Sequence, residues 1–224
     1  METLAQIHKR AARRHGGAAK LEKQLAKPKS RAALRRLGDD RWLASMTRSV
    51  FQAGFVWKVI DAKWPGFEEA FLGFDPGKVA KLSNARLDKL ATDERIVRNP
   101  VKIRATRDNA ALLVELAKEH GSAARCFADW PPEEIVGLWQ LLHQRGSRLG
   151  GFTGPMCLRH MGVDTPMLSN HVVAALREQG VVTGKSTSSR KTQQAIQDAF
   201  NGWREESGRS LTEISKILAC STDG

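Results

Sequence analysis

The sequence predicts an all-α fold. Three observations carry this: apolar residues recur at steps of three, four and seven along most of the chain, capping residues and Gly/Pro punctuate the segments between them, and no run alternates at the period of a strand. Asp39 and Asp40 are placed to cap a helix running through Trp42, Leu43, Met46, Val50, Trp57 and Ile60 until Pro65-Gly66 ends it. Asp75-Pro76 reads as an N-cap followed by the first helical residue, and Ser83 opens a short helix through Leu87 and Leu90. Asn99-Pro100 starts a long helix over Ile103, Leu112, Leu113 and Leu116, closed by Gly121.

Further on, Pro131-Pro132 begins a helix over Ile135, Leu138, Trp139 and Leu142 that stops at Gly146. The nine residues Ser147-Arg148-Leu149-Gly150-Gly151-Phe152-Thr153-Gly154-Pro155 form a tight connection, with a proline set to start the next helix. A helix over Val172, Val173 and Leu176 runs to Gly180, and 184–189 is a polar loop. Two helices close the chain: 190–206 around Ile196, Phe200 and Trp203, and a segment opened by Ser210-Leu211-Thr212-Glu213, which has the form of a capping box.

Composition narrows the function. The 224 residues suffice for a sizeable core, and no apolar run approaches the roughly 20 residues of a membrane span, so a soluble, non-membrane protein is expected. The basic N-terminus has no apolar stretch behind it, which reads against a secretory signal and for the cytoplasm. Cys126, Cys157 and Cys220 form no CxxC pair and have no histidine at zinc-finger spacing, so neither metal nor cofactor is expected. The formal charge is +12, and residues 1–38 alone hold eleven Lys/Arg against Glu2 and Glu22. Such a basic arm is either a solubilising tail or a hold on a polyanion, with nucleic acid favoured over membrane because no apolar face accompanies it. The chain is read as an arm over 1–38 followed by one helical domain over 39–224, with the hairpin at 147–155.

Three glycines in the turn and a helix starting just beyond it leave backbone N–H groups free for a phosphate oxygen, at the positive end of the helix dipole. This is a helix-hairpin-helix pattern, although the same residues also suit an ordinary tight loop between packed helices. Contacts of this kind, here from Arg148, Gly150, Gly151, Thr153 and Gly154, position a protein on DNA without reading its sequence.

Several blocks in register resemble the 3-methyladenine DNA glycosylase I family: Gln52-Ala53-Gly54-Phe55-Val56-Trp57, Phe74-Asp75-Pro76 with Val79-Ala80, Ile96-Val97-Arg98-Asn99 with Lys102-Ile103, Arg145-Gly146 with the hairpin, and Asn170-His171-Val172-Val173. The resemblance covers roughly 39–175. It implies a helix-hairpin-helix DNA glycosylase fold and a monomeric enzyme that flips an alkylated purine out of double-stranded DNA and hydrolyses its glycosidic bond. It places Trp57 as the base-stacking residue, with Phe51, Gln52, Ser169 and His171 around the base, and Arg98 and Lys102 near the DNA backbone. An indole face attracts a purine made cationic by methylation, worth on the order of 0.5–2 kcal/mol. The pocket is expected between the Trp42–Ala62 helix and the helix after the hairpin.

The departures are as informative. The family's pocket glutamate, three residues before the glutamine of QAG, falls at Ser49, and a hydroxyl carries no charge toward a developing oxocarbenium ion. The aspartate that opens the stretch after the hairpin in related glycosylases is absent from Ser169-Asn170-His171-Val172. The chain has no tyrosine and lacks the family's N-terminal motif and zinc clasp. Three readings stay open: a glycosylase relying on substrate lability with a polar contact from Ser49, Gln52 or Asn170; one served by Asp164 or another carboxylate; or a noncatalytic, lesion- or structure-specific DNA binder. A helical transcription factor is a weaker alternative, since no recognition helix rich in base-reading side chains is evident. No lysine occupies the hairpin position used for Schiff-base chemistry, so a monofunctional hydrolase is expected.

Overall fold

The computed structural model describes residues 1–222, among which there is no strand. In chain order the helices are α1 (Leu4–Arg14), α2 (Ala18–Glu22), α3 (Arg31–Arg35), α4 (Asp39–Gln52), α5 (Trp57–Ala62), α6 (Trp64–Ala70), α7 (Pro76–Val79), α8 (Asn84–Leu90), α9 (Pro100–His120), α10 (Ala123–Asp129), α11 (Ile135–Arg145), α12 (Thr153–Met161), α13 (Asn170–Glu178), α14 (Arg190–Ser207) and α15 (Leu211–Ser221). Short 3-10 turns lie at Leu72–Phe74 and Pro132–Glu134. The chain divides into two units: one formed by Met1–Lys29, Pro131–Gly137 and the chain from Gly162 on, the other by Ser30–Trp130 and Leu138–Met161.

In the first unit α15 is the central element, packed by α1, α13 and α14. Its core joins Leu4, Ile7 and Ala11 to Phe200, Trp203, Ile214 and Leu218, all essentially inaccessible to water. Apolar burial at this level stabilises by about 1.5–3 kcal/mol per large side chain. The predicted capping box is present: the Ser210 hydroxyl accepts from Glu213 N–H at 3.2 Å, and Glu213 Oε2 accepts from Ser210 N–H at 3.1 Å. The basic segment is helical here. The α1 N-terminus is tied down, with Trp203 Nε1 donating to the Glu2 carbonyl at 3.1 Å and Glu206 accepting from Leu4 N–H.

The second unit is organised on α9, which packs against α4, α7, α8 and α10. The caps at its head are as the sequence predicts: Asp75 accepts from Lys78 N–H, Ser83 from Arg86 N–H and Asn99 from Lys102 N–H, and Gly121 ends α9 at φ +84°. An aromatic stack of Trp64, Phe67, Phe71 and Phe74, with ring centroids 5.3–6.3 Å apart, fills the space beside α4.

Three expectations are corrected. The helix expected to run unbroken from Asp39 to Ile60 is interrupted after Gln52, and a new helix starts at Trp57. Gly54 takes φ +68°, a conformation open to glycine at little cost, and the chain turns there. Pro65 does not end a helix but sits in the first turn of α6, where its missing N–H costs nothing. Asp39 caps a different helix from the one expected: its carboxylate accepts from Ala123 and Ala124 N–H at 3.1 and 2.9 Å, at the head of α10.

Candidate nucleic-acid interface

The hairpin joins α11 to α12 within the second unit. Arg145, at the end of α11, is held by Glu119 at 2.9 and 2.6 Å and by Glu115 at 3.3 Å, and this pairing lowers the Glu119 pKa. Ser147 is clamped from both sides by the buried Asn109 of α9, whose Oδ1 accepts from Ser147 N–H at 2.7 Å and whose Nδ2 donates to its carbonyl at 3.0 Å. Leu149 plugs the core while Arg148 and Phe152 stay exposed on either side of it. Gly151 takes φ +59°, and a Cβ at Gly154 would collide with the Leu149 carbonyl oxygen, so both glycines are required by the turn. Arg148 holds φ +60°, an unusual conformation for a side-chain-bearing residue. In the first turn of the nine-residue α12, Thr153 N–H donates to Gly150 O at 3.3 Å, Met156 N–H donates to Phe152 O at 3.0 Å and Pro155 carries no N–H, which leaves the Gly154 N–H without a backbone acceptor among the described residues.

The turn after α4 is built from the same unit. Ala53 N–H donates to Ser49 O and Phe55 N–H to Gln52 O, both at 3.1 Å. The Lys102 ammonium, almost fully buried, donates to Phe51 O at 3.1 Å and to Ala53 O at 2.7 Å, closing the end of α4. Burial first, and the charge of Arg148 second, push the Lys102 pKa down. Beyond this turn Phe55, Val56, Trp57 and Val59 stand exposed in succession. Trp57 is 48% exposed, against 0–4% for Trp42, Trp139 and Trp203. Its indole meets the His160 ring of α12 edge-on, with centroids 6.3 Å apart at 87°.

The structure distributes the expected residues unevenly. Ser49, Phe51, Gln52, Trp57, Arg98, Lys102 and the hairpin share the second unit; Asp164, Ser169, Asn170 and His171 belong to the first. Arg98 is exposed and faces Glu94 at 3.8 Å, a weak surface pair. Asn170 and His171 are exposed at the head of α13, and Ser169 is its N-cap, accepting from Val172 N–H at 3.4 Å.

Four expected roles are corrected by geometry. Phe51 is not beside a base but fully buried, edge-on to Phe67 at 4.7 Å. Lys102 is not a phosphate contact, because its charge is buried on two carbonyls. Asp164 has both oxygens engaged, accepting from Leu211 N–H at 3.2 Å and Thr212 N–H at 2.8 Å at the head of α15, so it acts as a cap rather than a catalyst. Ser49 is 1% exposed and lies against the Cys157 thiol, which burial raises to about 11 despite hydrogen bonds from Ser45 and Ser49. Gln52 is buried too, and its Oε1 has no partner among the described residues.

Sequence reading missed Asn109 and His160. Asn109 was detectable as a polar residue on the face of α9 that carries Lys102 and Thr106, spaced by four and three. His160 had no local signal, since it meets Trp57 across a hundred residues of chain.

Comparison with known proteins bears directly on this unit. Residues 34–143 match the methyladenine glycosylase family. The match covers just under half the chain and spans the turn after α4, Trp57 and all of α9, so the resemblance read from the residue blocks holds there. An 8-oxoguanine glycosylase/lyase of Methanocaldococcus jannaschii, in complex with a 15mer DNA containing 8-oxoguanine, is 15% identical, with 96% of this chain and 95% of that one covered at a TM-score of 0.53. A 3-methyladenine DNA glycosylase I of Staphylococcus aureus is 22% identical, with 56% of this chain and 76% of that one covered at a TM-score of 0.48. The fold expected from the sequence, the all-helical DNA glycosylase fold, is therefore the one this chain has. No helix among the described residues is long and apolar enough to cross a membrane.

Proposed function

We propose that this chain is a monomeric, monofunctional DNA glycosylase that removes alkylated purines of the 3-methyladenine type from double-stranded DNA. The observation that carries the reading is Trp57, an exposed indole in the family-matched segment. Exposing an indole forfeits the largest apolar burial a side chain offers, and a stacking ligand restores it. The hairpin supplies the hold on DNA: the Gly154 N–H at the head of α12 and the Arg148 side chain bind phosphates on either side of a flipped nucleotide. The basic side chains over 1–38 add further phosphate contacts.

In this reading the methylated base enters as a cation and stacks on Trp57. Its exocyclic amino group gives Gln52 Oε1 the partner it lacks. Water attacks C1′ of the sugar as the C1′–N bond breaks; the electron pair of that bond neutralises the purine, and the water proton passes to solvent. The positive charge already on the base makes it a good leaving group, so the missing carboxylates at 49 and 169 limit the range of bases rather than abolish the reaction. Incubation with methylated duplex DNA and chromatography of released bases tests this. Release of 3-methyladenine by the wild-type chain and its loss in Trp57→Ala are expected; tight binding without release overturns the reading.

A second reading, a noncatalytic binder of damaged DNA, is favoured by one observation: Ser49, at the family's glutamate position, is buried against Cys157. The same incubation separates the two.

A further inference from the structure

Trp57 is the first residue of a six-residue helix and follows four exposed residues, a setting in which a large ring has little to fix its rotamer. His160 approaches it edge-on from α12, a different element. That element is firmly seated. Cys157, one turn before His160, is buried, and its thiol meets the Ser45 hydroxyl of α4 at 3.4 Å. The chain entering α12 is the hairpin itself, clamped at Ser147 by Asn109. One rigid path therefore runs from the hairpin to the indole edge.

We propose that His160 is the positioning residue of Trp57, holding the indole perpendicular to the imidazole so that a face stays presented to the base, and coupling that face to the hairpin helix. The inference rests on the reading of Trp57 as the base-stacking residue. A T-shaped contact occupies the indole's edge or one of its faces, so at least one π face stays free for the ligand. His160 serves this role only as a neutral ring. A protonated imidazole would place a cation beside the indole that must attract a cationic purine, and the two like charges would repel.

The surroundings keep it neutral. Partial burial of this surface ring is the first cause, and Arg159 on its own helix and Arg48 on α4 add like-charge repulsion, together lowering its pKa from the ordinary histidine value of 6.5. The carboxylate nearest in the α5 sequence, Asp61, is paired with Arg48 at 3.4 Å, and that guanidinium also lies over Trp64 at 4.1 Å. The proton is thus disfavoured at neutral pH, and protonation sets in only at a more acid pH than for an ordinary histidine.

Two variants separate ring contact from charge. His160→Ala removes both, whereas His160→Phe keeps an aromatic edge that cannot be protonated. On methylated duplex DNA at pH 7.5, His160→Ala should slow single-turnover base release roughly two- to tenfold, the range an aromatic pair is worth. His160→Phe should restore release to within about twofold and abolish the acid-side decline expected of the wild type. Unchanged release in His160→Ala, no rescue by phenylalanine, or an identical acid limb in His160→Phe each overturns the proposal.

If the wild-type chain releases no base, the functional reading has failed and the ring contact is read by NMR instead. His160→Ala should then move the Trp57 indole N–H resonance, identified by its loss in Trp57→Phe. Trp57→Ala should raise the His160 titration midpoint toward 6.5. An unmoved resonance or midpoint sinks the proposal on its own terms.

Discussion

Replacing Asn109 by alanine removes a side chain that makes both hydrogen bonds to Ser147 at the mouth of the hairpin, at 2.7 and 3.0 Å. Asn109 is wholly buried, so its amide has no water to fall back on in the native state. Each bond contributes about 1 kcal/mol net, and an orphaned buried group costs about 1–3 kcal/mol. Ser147 is only half-buried, so water reaches its N–H and carbonyl once the amide is gone, and the lower end of that range applies. The cavity left by the carboxamide adds a fraction more. A destabilisation of about 2–3 kcal/mol is expected, read as a lower urea midpoint at constant m-value. Hydrogen exchange should show amides of 147–154 opening faster than those of α9, because the clamp acts locally. A destabilisation below about 0.5 kcal/mol with unchanged exchange in the hairpin would refute the assignment of Asn109 as its clamp.

Three further outcomes follow from particular groups. Gln52→Met removes a buried oxygen that has no partner among the described residues, so unfolding stability should hold or rise while base release falls; a parallel fall in both would show that the amide is structural. The Cys157 thiol is raised by burial to about 11, above an ordinary value near 9, so the native state keeps its proton where the unfolded chain releases it. Stability from this group is complete below about pH 9 and declines from there to about 11, and Cys157→Ala should flatten that part of the curve of urea midpoint against pH. Replacing Lys20, Lys23 and Lys27 with glutamine should reduce the slope of log affinity for duplex DNA against log salt by up to about 0.9 for each phosphate no longer neutralised, and an unchanged slope would return the arm to a solubilising role.

The parts of the fold legible in the sequence are those fixed by local chemistry. Asn99-Pro100, Asp75-Pro76 and the Ser210–Glu213 box each specify a helix start within four residues, and each helix begins there. The break after Gln52 was hidden because Trp57 and Ile60 nearly continue the apolar spacing of α4; the turn is held by Lys102, fifty residues away, which no local pattern reveals. Asp39 and Asp164 mislead for the same reason. Each looks like a cap for its own helix or a free carboxylate, yet each accepts N–H groups from the head of a helix distant in sequence. In the candidate site Trp57 was legible from the family-like block, whereas its partner His160 depends on how α12 is seated.

That seating also changes what the serine at position 49 means. If Ser49 lined an open pocket, Ser49→Glu would supply the missing carboxylate and speed base release. At 1% exposure, the new carboxyl would enter a site with the Cys157 thiol and the Ser45 hydroxyl, rather than a cation, beside it. Burying an unpaired charge costs several kcal/mol, so the group would instead take up a proton and lose the very charge that was to be restored. Ser49→Glu should therefore destabilise the chain by about 2 kcal/mol or more and leave release at pH 7 no faster than wild type. Faster release at unchanged stability would show that position 49 opens to the base. Slower release would mean that this chain has closed the position where its relatives place a charge, and that catalysis rests on the lability of the cationic base and on the face of Trp57.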